Sequence, residues 1–125
     1  MQRLLLVMIG GAVGAGLRYE AGRVALRQLG AGFPWGTLGV NLAGGLAMGL
    51  VAGSLGADAI GERPLWFFAA VGVLGGFTTF SAFSLELFGM MERGEVAVAL
   101  GYVAASVVGS VALLAAGWSL TRAAA

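Results

Sequence analysis

The chain has no cysteine, no histidine and no lysine among its 125 residues. Without cysteine there is neither a disulfide nor a thiolate metal site. Without histidine the usual acid/base of neutral-pH catalysis and the commonest metal ligand are missing. Charge is scarce too, at 10% of residues, against about 25% in a soluble domain. That is too little to coat a globule of this size. The basic residues are Arg3, Arg18, Arg23, Arg27, Arg63, Arg93 and Arg122. They are scattered, so no basic patch points to nucleic acid. What the chain has instead is apolar side chains, at 59%, and 23 glycines. The composition predicts an all-α membrane protein, one domain over residues 1–125, with almost no mass outside the bilayer.

Four spans are expected, at about residues 3–28, 35–56, 65–90 and 96–120, since about 20 apolar residues cross the hydrocarbon core. The first could be mistaken for a signal peptide, but no soluble domain follows it. Gly10, Gly14 and Ala15 give it a small-residue face, and Gly45, Gly49 and Gly53 give the second span another; such faces suit close helix packing. Arg18, Arg23 and Arg27 are read as the emergence of the first span into the headgroup zone, where long side chains snorkel. Pro34 starts the second span, and Trp35, Trp66 and Trp118 stand where interfacial aromatics belong. With four spans both termini share one side, together with Arg63. Leaving Arg18 aside as too deep to count, Arg3, Arg63 and Arg122 then balance Arg23, Arg27 and Arg93. Orientation follows an arginine imbalance between the two sides, and here there is almost none.

The third span carries the unusual stretch, residues 72–84. Gly75-Gly76 weakens a helix, so an interruption is expected near the centre of the span. Backbone broken inside a membrane persists only where it is buried in protein or lines a cavity. Thr78, Thr79, Ser81 and Ser84 offer hydroxyls, and Phe80 and Phe83, three apart, share a face. Aromatic rings have positive edges, so rings, hydroxyls and an amide would form a donor-rich path without a full charge, suited to a small anion. Asn41, with Thr37 one turn earlier, brings the amide; the plainer reading of a membrane asparagine is glue between helices. Tyr102, Ser106 and Ser110 recur at spacing four on the last span. Alone they would bond their own helix; facing the third span they complete a polar track. Freed carbonyls at Gly75 and Thr78 could hold a cation, as unwound segments do in transporters.

These residues resemble the small bacterial fluoride channels of the CrcB/Fluc type. The resemblance runs nearly the whole length. It includes Gly10 to Tyr19 in the first span, Gly36-Thr37-Leu38-Gly39-Val40-Asn41 with Gly44 in the second, and Gly75-Gly76-Phe77-Thr78-Thr79-Phe80-Ser81-Ala82-Phe83 in the third. The last is highly specific. Ala82 departs from the threonine common in the family and removes one hydroxyl. The resemblance implies an antiparallel, dual-topology homodimer in the bacterial inner membrane, with two fluoride pathways at the interface. It implies a structural sodium ion held by the carbonyls of Gly75 and Thr78. It implies a pore at Asn41, Phe80 and Phe83, with Tyr102, Ser106 and Ser110. Such a channel lowers cytoplasmic fluoride by passive export: the neutral acid enters, dissociates, and the anion leaves. The physics agrees, since replacing fluoride's tight hydration takes several close donors, as carbonyl rings do for potassium with the opposite sign.

Other classes fit less well. A proton-coupled exporter needs a titratable group in the bilayer, and Glu20 and Glu86, the only candidates, are read as lying near span ends. A membrane enzyme would need a nucleophile and base, and without histidine, cysteine or a buried acid pair there is nothing to build them from. A purely structural or hole-forming protein leaves Thr78 to Ser84 unexplained.

Overall fold

A backbone entering hydrocarbon must satisfy its own polar groups, which confines uncharged runs of this length to helix. The computed structural model describes all residues, Met1 to Ala125, and contains no strand. It comprises α1 (Gln2–Leu29), α2 (Trp35–Leu55), a 3-10 turn (Ala57–Ala59), a π-helix (Trp66–Leu74), α3 (Gly75–Phe77), α4 (Phe80–Glu92) and α5 (Val96–Ala124). The π-helix, α3 and α4 together make the third crossing, so four stretches are long and apolar enough to span a membrane. Gly30 and Gly56 close α1 and α2 at φ 79°, a conformation other residues avoid, and their N–H groups bond back to Leu26 and Ala52. Gly94 turns the chain between α4 and α5. Beside it Glu95 accepts from Arg93 at 3.0 Å and pushes that guanidinium's pKa further up, which keeps it cationic.

The helices pack as two close pairs. In one, α2 lies on α5 through Gly45, Gly49, Gly53 and Gly117. A Cβ built on Gly45 would stand 2.7 Å from the carbonyl oxygen of Ser110. In the other, α1 lies on the π-helix and α3 through Gly10, Gly14, Gly72 and Gly76. Lipid tails are as apolar as leucine, so close van der Waals contact between backbones, not burial from water, holds such pairs. Between the pairs, α4 inserts Phe83 and Met90 against Leu38, Ala99 and Tyr102, the only sizeable buried apolar cluster. The outer face of α1, with Leu4, Leu5, Met8 and Ile9, is left to lipid.

Two sequence expectations are located more finely here. The interruption was expected near the centre of the span, with Gly75 and Thr78 beside it; Gly75 and Gly76 belong to α3, and the chain leaves helical geometry at Thr78 and Thr79, both extended. Gly76 serves approach instead: a Cβ there would lie 2.5 Å from the Gly11 carbonyl oxygen. Glu86 lies six residues before the end of the third crossing, as read from the sequence, and in the middle of α4.

Candidate ion pathway

The break at Thr78 and Thr79 is held from the side. With two residues extended, nearby N–H and C=O groups lose their helical partners, and a buried backbone group must find others. Asn41 supplies them: its amide donates to the Thr79 carbonyl at 3.0 Å, and its carbonyl accepts from the Thr79 N–H at 2.8 Å. The Thr79 hydroxyl accepts from Ala82 N–H at 3.2 Å and so caps α4. The Thr78 hydroxyl donates to the Leu74 carbonyl at 2.9 Å. These bonds divert the donors that would have served two carbonyls further back. Thr79 N–H is four residues beyond Gly75, and Ala82 N–H four beyond Thr78, so no hydrogen bond reaches the carbonyl of Gly75 or Thr78. Two oxygens of the right kind for a hard cation are thereby left free. Gly75 itself is exposed, and a Cβ there would meet nothing nearer than the Ala70 carbonyl at 3.8 Å.

Below the break lies a hollow of about 370 Å³ at mid-membrane, lined by Asn41, Thr78, Thr79, Phe80, Phe83, Ser106 and Ser110. No charged side chain lines it. Phe80 and Phe83 meet with ring centroids 5.6 Å apart, but they are not equivalent: Phe83 is 6% exposed and Phe80 78%. Ser110 donates weakly to the Asn41 backbone carbonyl at 3.4 Å. Ser106, 7% exposed, has a hydroxyl with no partner at all. A serine in a membrane helix normally bonds the carbonyl four residues back. A buried hydroxyl left unpaired costs about 1–3 kcal/mol, which marks this one as a donor awaiting an acceptor.

The remaining expected residues stand above the hollow. The Tyr102 ring packs on Phe83, centroids 4.9 Å apart. Its hydroxyl does not face the track but donates to Glu86 at 3.2 Å, and Thr37 donates to the other oxygen of the same carboxylate at 2.6 Å. The hollow therefore does not include Thr37 or Tyr102 among its lining residues; Glu86 joins them into a second cluster one helical turn beyond Phe83. Ser81 is exposed, away from the hollow, its hydroxyl 3.4 Å from that of Thr79.

Two residues were missed. Glu86 follows Phe83 by three and so shares its face, a signal masked by the charged residues that come after it. Arg18 was read as snorkelling, yet its Nε donates to the Gly76 carbonyl at 3.0 Å, at the level of the break. It lines a smaller hollow of about 300 Å³ with Arg23, Thr37 and Thr79. An arginine closing the uncharged run from Leu4 to Leu17, four and seven residues after Gly14 and Gly11, was the available clue.

The family described as "CrcB-like protein, Camphor Resistance (CrcB)" matches residues 5–118 of this chain. A protein of Sphingopyxis alaskensis named "Fluoride-specific ion channel FluC" is 50% identical over 122 residues, covering 98% of this chain and 97% of its own length. Similarly named proteins of a Chelativorans species and of Hyphomonas neptunium are 49% and 51% identical. Each covers 98% of the chain. With the match spanning every helix and the break between α3 and α4, this chain belongs to the CrcB family.

Proposed function

We propose that the protein is a fluoride-selective channel of the inner membrane of a bacterium, exporting the anion passively and lowering its cytoplasmic level. It is a channel and not an enzyme. The observation that carries this reading is the uncharged hollow midway along the helices, lined by Asn41, Phe80, Phe83 and Ser110, with the unpartnered Ser106 hydroxyl buried in its wall. Hydroxyl, amide and positive ring edges can replace fluoride's water while leaving no fixed cation to trap it. The hollow beside Arg18 is the aqueous approach, where a positive charge raises the local concentration of anions.

The working unit in this reading is an antiparallel homodimer inserted in both orientations. Phe80, 78% exposed beside polar groups at mid-membrane, fits a surface covered by a second copy. The free carbonyls of Gly75 and Thr78 suit a structural sodium ion. One chain offers it two oxygens, so a second copy is needed to complete a usual hard-cation shell. Bound there, the ion would fix the relative placement of the two breaks.

A proton-coupled exporter is the second reading, favoured by the place of Glu86, inside the membrane and bonded by Thr37 and Tyr102. Efflux from liposomes containing the purified protein decides. A fluoride electrode should register rapid release without any proton gradient, and almost none of chloride. Release that needs a proton gradient would establish the exporter; equal release of both anions would remove the selectivity.

A further inference from the structure

At the end of the molecule that carries both termini, a groove of about 590 Å³ separates the start of α1 from the start of the π-helix. Its wall is apolar, made by Leu5, Leu6, Ile9 and Phe67. Its rim carries Arg3 and Glu62. The Arg3 guanidinium lies over the Phe67 ring, 4.9 Å from the centroid, an arrangement that fixes the side chain by cation–π attraction. Arg3 and Glu62 come only to 3.9 Å, beyond hydrogen-bond distance, and their side chains are 63% and 74% exposed. A cation and an anion thus stand side by side with their donors and acceptors mostly free, and the apolar wall begins directly below them.

We propose that this groove binds a phospholipid whose headgroup ends in a primary ammonium, with the ethanolamine headgroup as the defining case. The order of chemistry along the groove is that of the lipid. Phosphate meets the Arg3 guanidinium, ammonium meets the Glu62 carboxylate, and one acyl chain lies along Leu6, Ile9 and Phe67. Glu62 sets the selectivity. An ammonium donates N–H bonds to a carboxylate, whereas choline turns methyl groups to it and glycerol brings no charge. The opposed charges of the rim also give an anionic headgroup no net attraction.

Native mass spectrometry of the full-length protein in detergent, with ethanolamine, choline and glycerol phospholipids of identical chains at equal concentration, tests the assignment. The ethanolamine lipid should be retained about tenfold over the choline lipid, the change expected from one charge-assisted hydrogen bond. Glu62→Gln should abolish that preference, lowering ethanolamine-lipid retention more than choline-lipid retention. Arg3→Gln should weaken both alike. Both positions are exposed, so the variants fold, and a monodisperse elution profile checks it. Equal retention of the three lipids overturns the proposal, and leaves Arg3 and Glu62 as a surface ion pair only. Preference for the glycerol lipid overturns it, as does a preference that survives Glu62→Gln. None of these readouts depends on ion conduction.

Discussion

Phe80 and Phe83 separate folding from conduction within one helical turn. Phe83 is buried in the cluster of Leu38, Met90, Ala99 and Tyr102, so Phe83→Ile should cost about 1 kcal/mol of stability, the usual price of a near-isosteric core swap. Phe80 is mostly exposed in one chain, and Phe80→Ile should leave the melting temperature of that fold unmoved. Both should lower fluoride efflux on the order of tenfold or more, since a desolvating anion loses a polar partner that saturated carbon cannot replace. Melting curves and electrode traces on the same samples test the two halves, and wild-type flux in both variants would return the rings to plain packing. Asn41 carries a double role. Asn41→Ala removes both bonds to Thr79 and should cost roughly 2 kcal/mol. Asn41→Asp keeps the acceptor for Thr79 N–H, loses the donor to its carbonyl, and places negative charge beside the path. It should fold better than the alanine variant and conduct as poorly, which thermal stability and efflux together resolve.

The third crossing shows at the level of elements why neighbouring glycines have different duties. Gly76→Ala puts a methyl group 2.5 Å from the Gly11 carbonyl, backbone that cannot yield cheaply. A loss of about 1–3 kcal/mol follows from such overpacking. Gly75→Ala meets open space within one chain. If Gly75→Val nonetheless abolishes assembly on a sizing column, the crowding comes from a second copy or the ion between copies; unchanged assembly and flux would argue against a cation packed there. The four apolar helices were legible because runs without charge of this length have one solution in lipid. The face shared by Ser106 and Ser110 was legible from spacing alone. The position of the break was not, because Gly75-Gly76 reads locally as a breaker, while its use is decided by α1, some 60 residues away in sequence. Glu86 was hidden for a similar reason: Thr37 is 49 residues off and Tyr102 is 16, and only the packing of α2, α4 and α5 brings both hydroxyls to one carboxylate.

For the molecule as a whole, the balance of Arg3, Arg63 and Arg122 against Arg23, Arg27 and Arg93 gives the positive-inside rule little to act on, and insertion in both orientations is the proposal that follows. Reporter tags on the C-terminus should find it on both sides of the membrane, and two or three lysines added at one terminus should lock the orientation and depress flux. A single orientation in an active wild type would sink the antiparallel pair. The polar residues also have a direction. From Tyr102 to Ser110 on α5, and from Thr37 to Asn41 on α2, they run from the Gly30 and Gly94 end to the middle; beyond it Ser54 and Thr121 bond carbonyls of their own helices. Past that point the same helices meet closely, Gly49 against Leu114 and Gly53 against Trp118 and Thr121. In the proposed antiparallel pair one chain would line half a crossing and its oppositely running partner the other half, so every complete route would draw on both copies. Inactive chains should therefore be dominant. Co-expressed in equal amounts with wild type, a Phe83→Ile chain that folds and pairs at random should leave roughly a quarter of the flux, the share of pairs with no mutant member, where self-contained chains would leave roughly half.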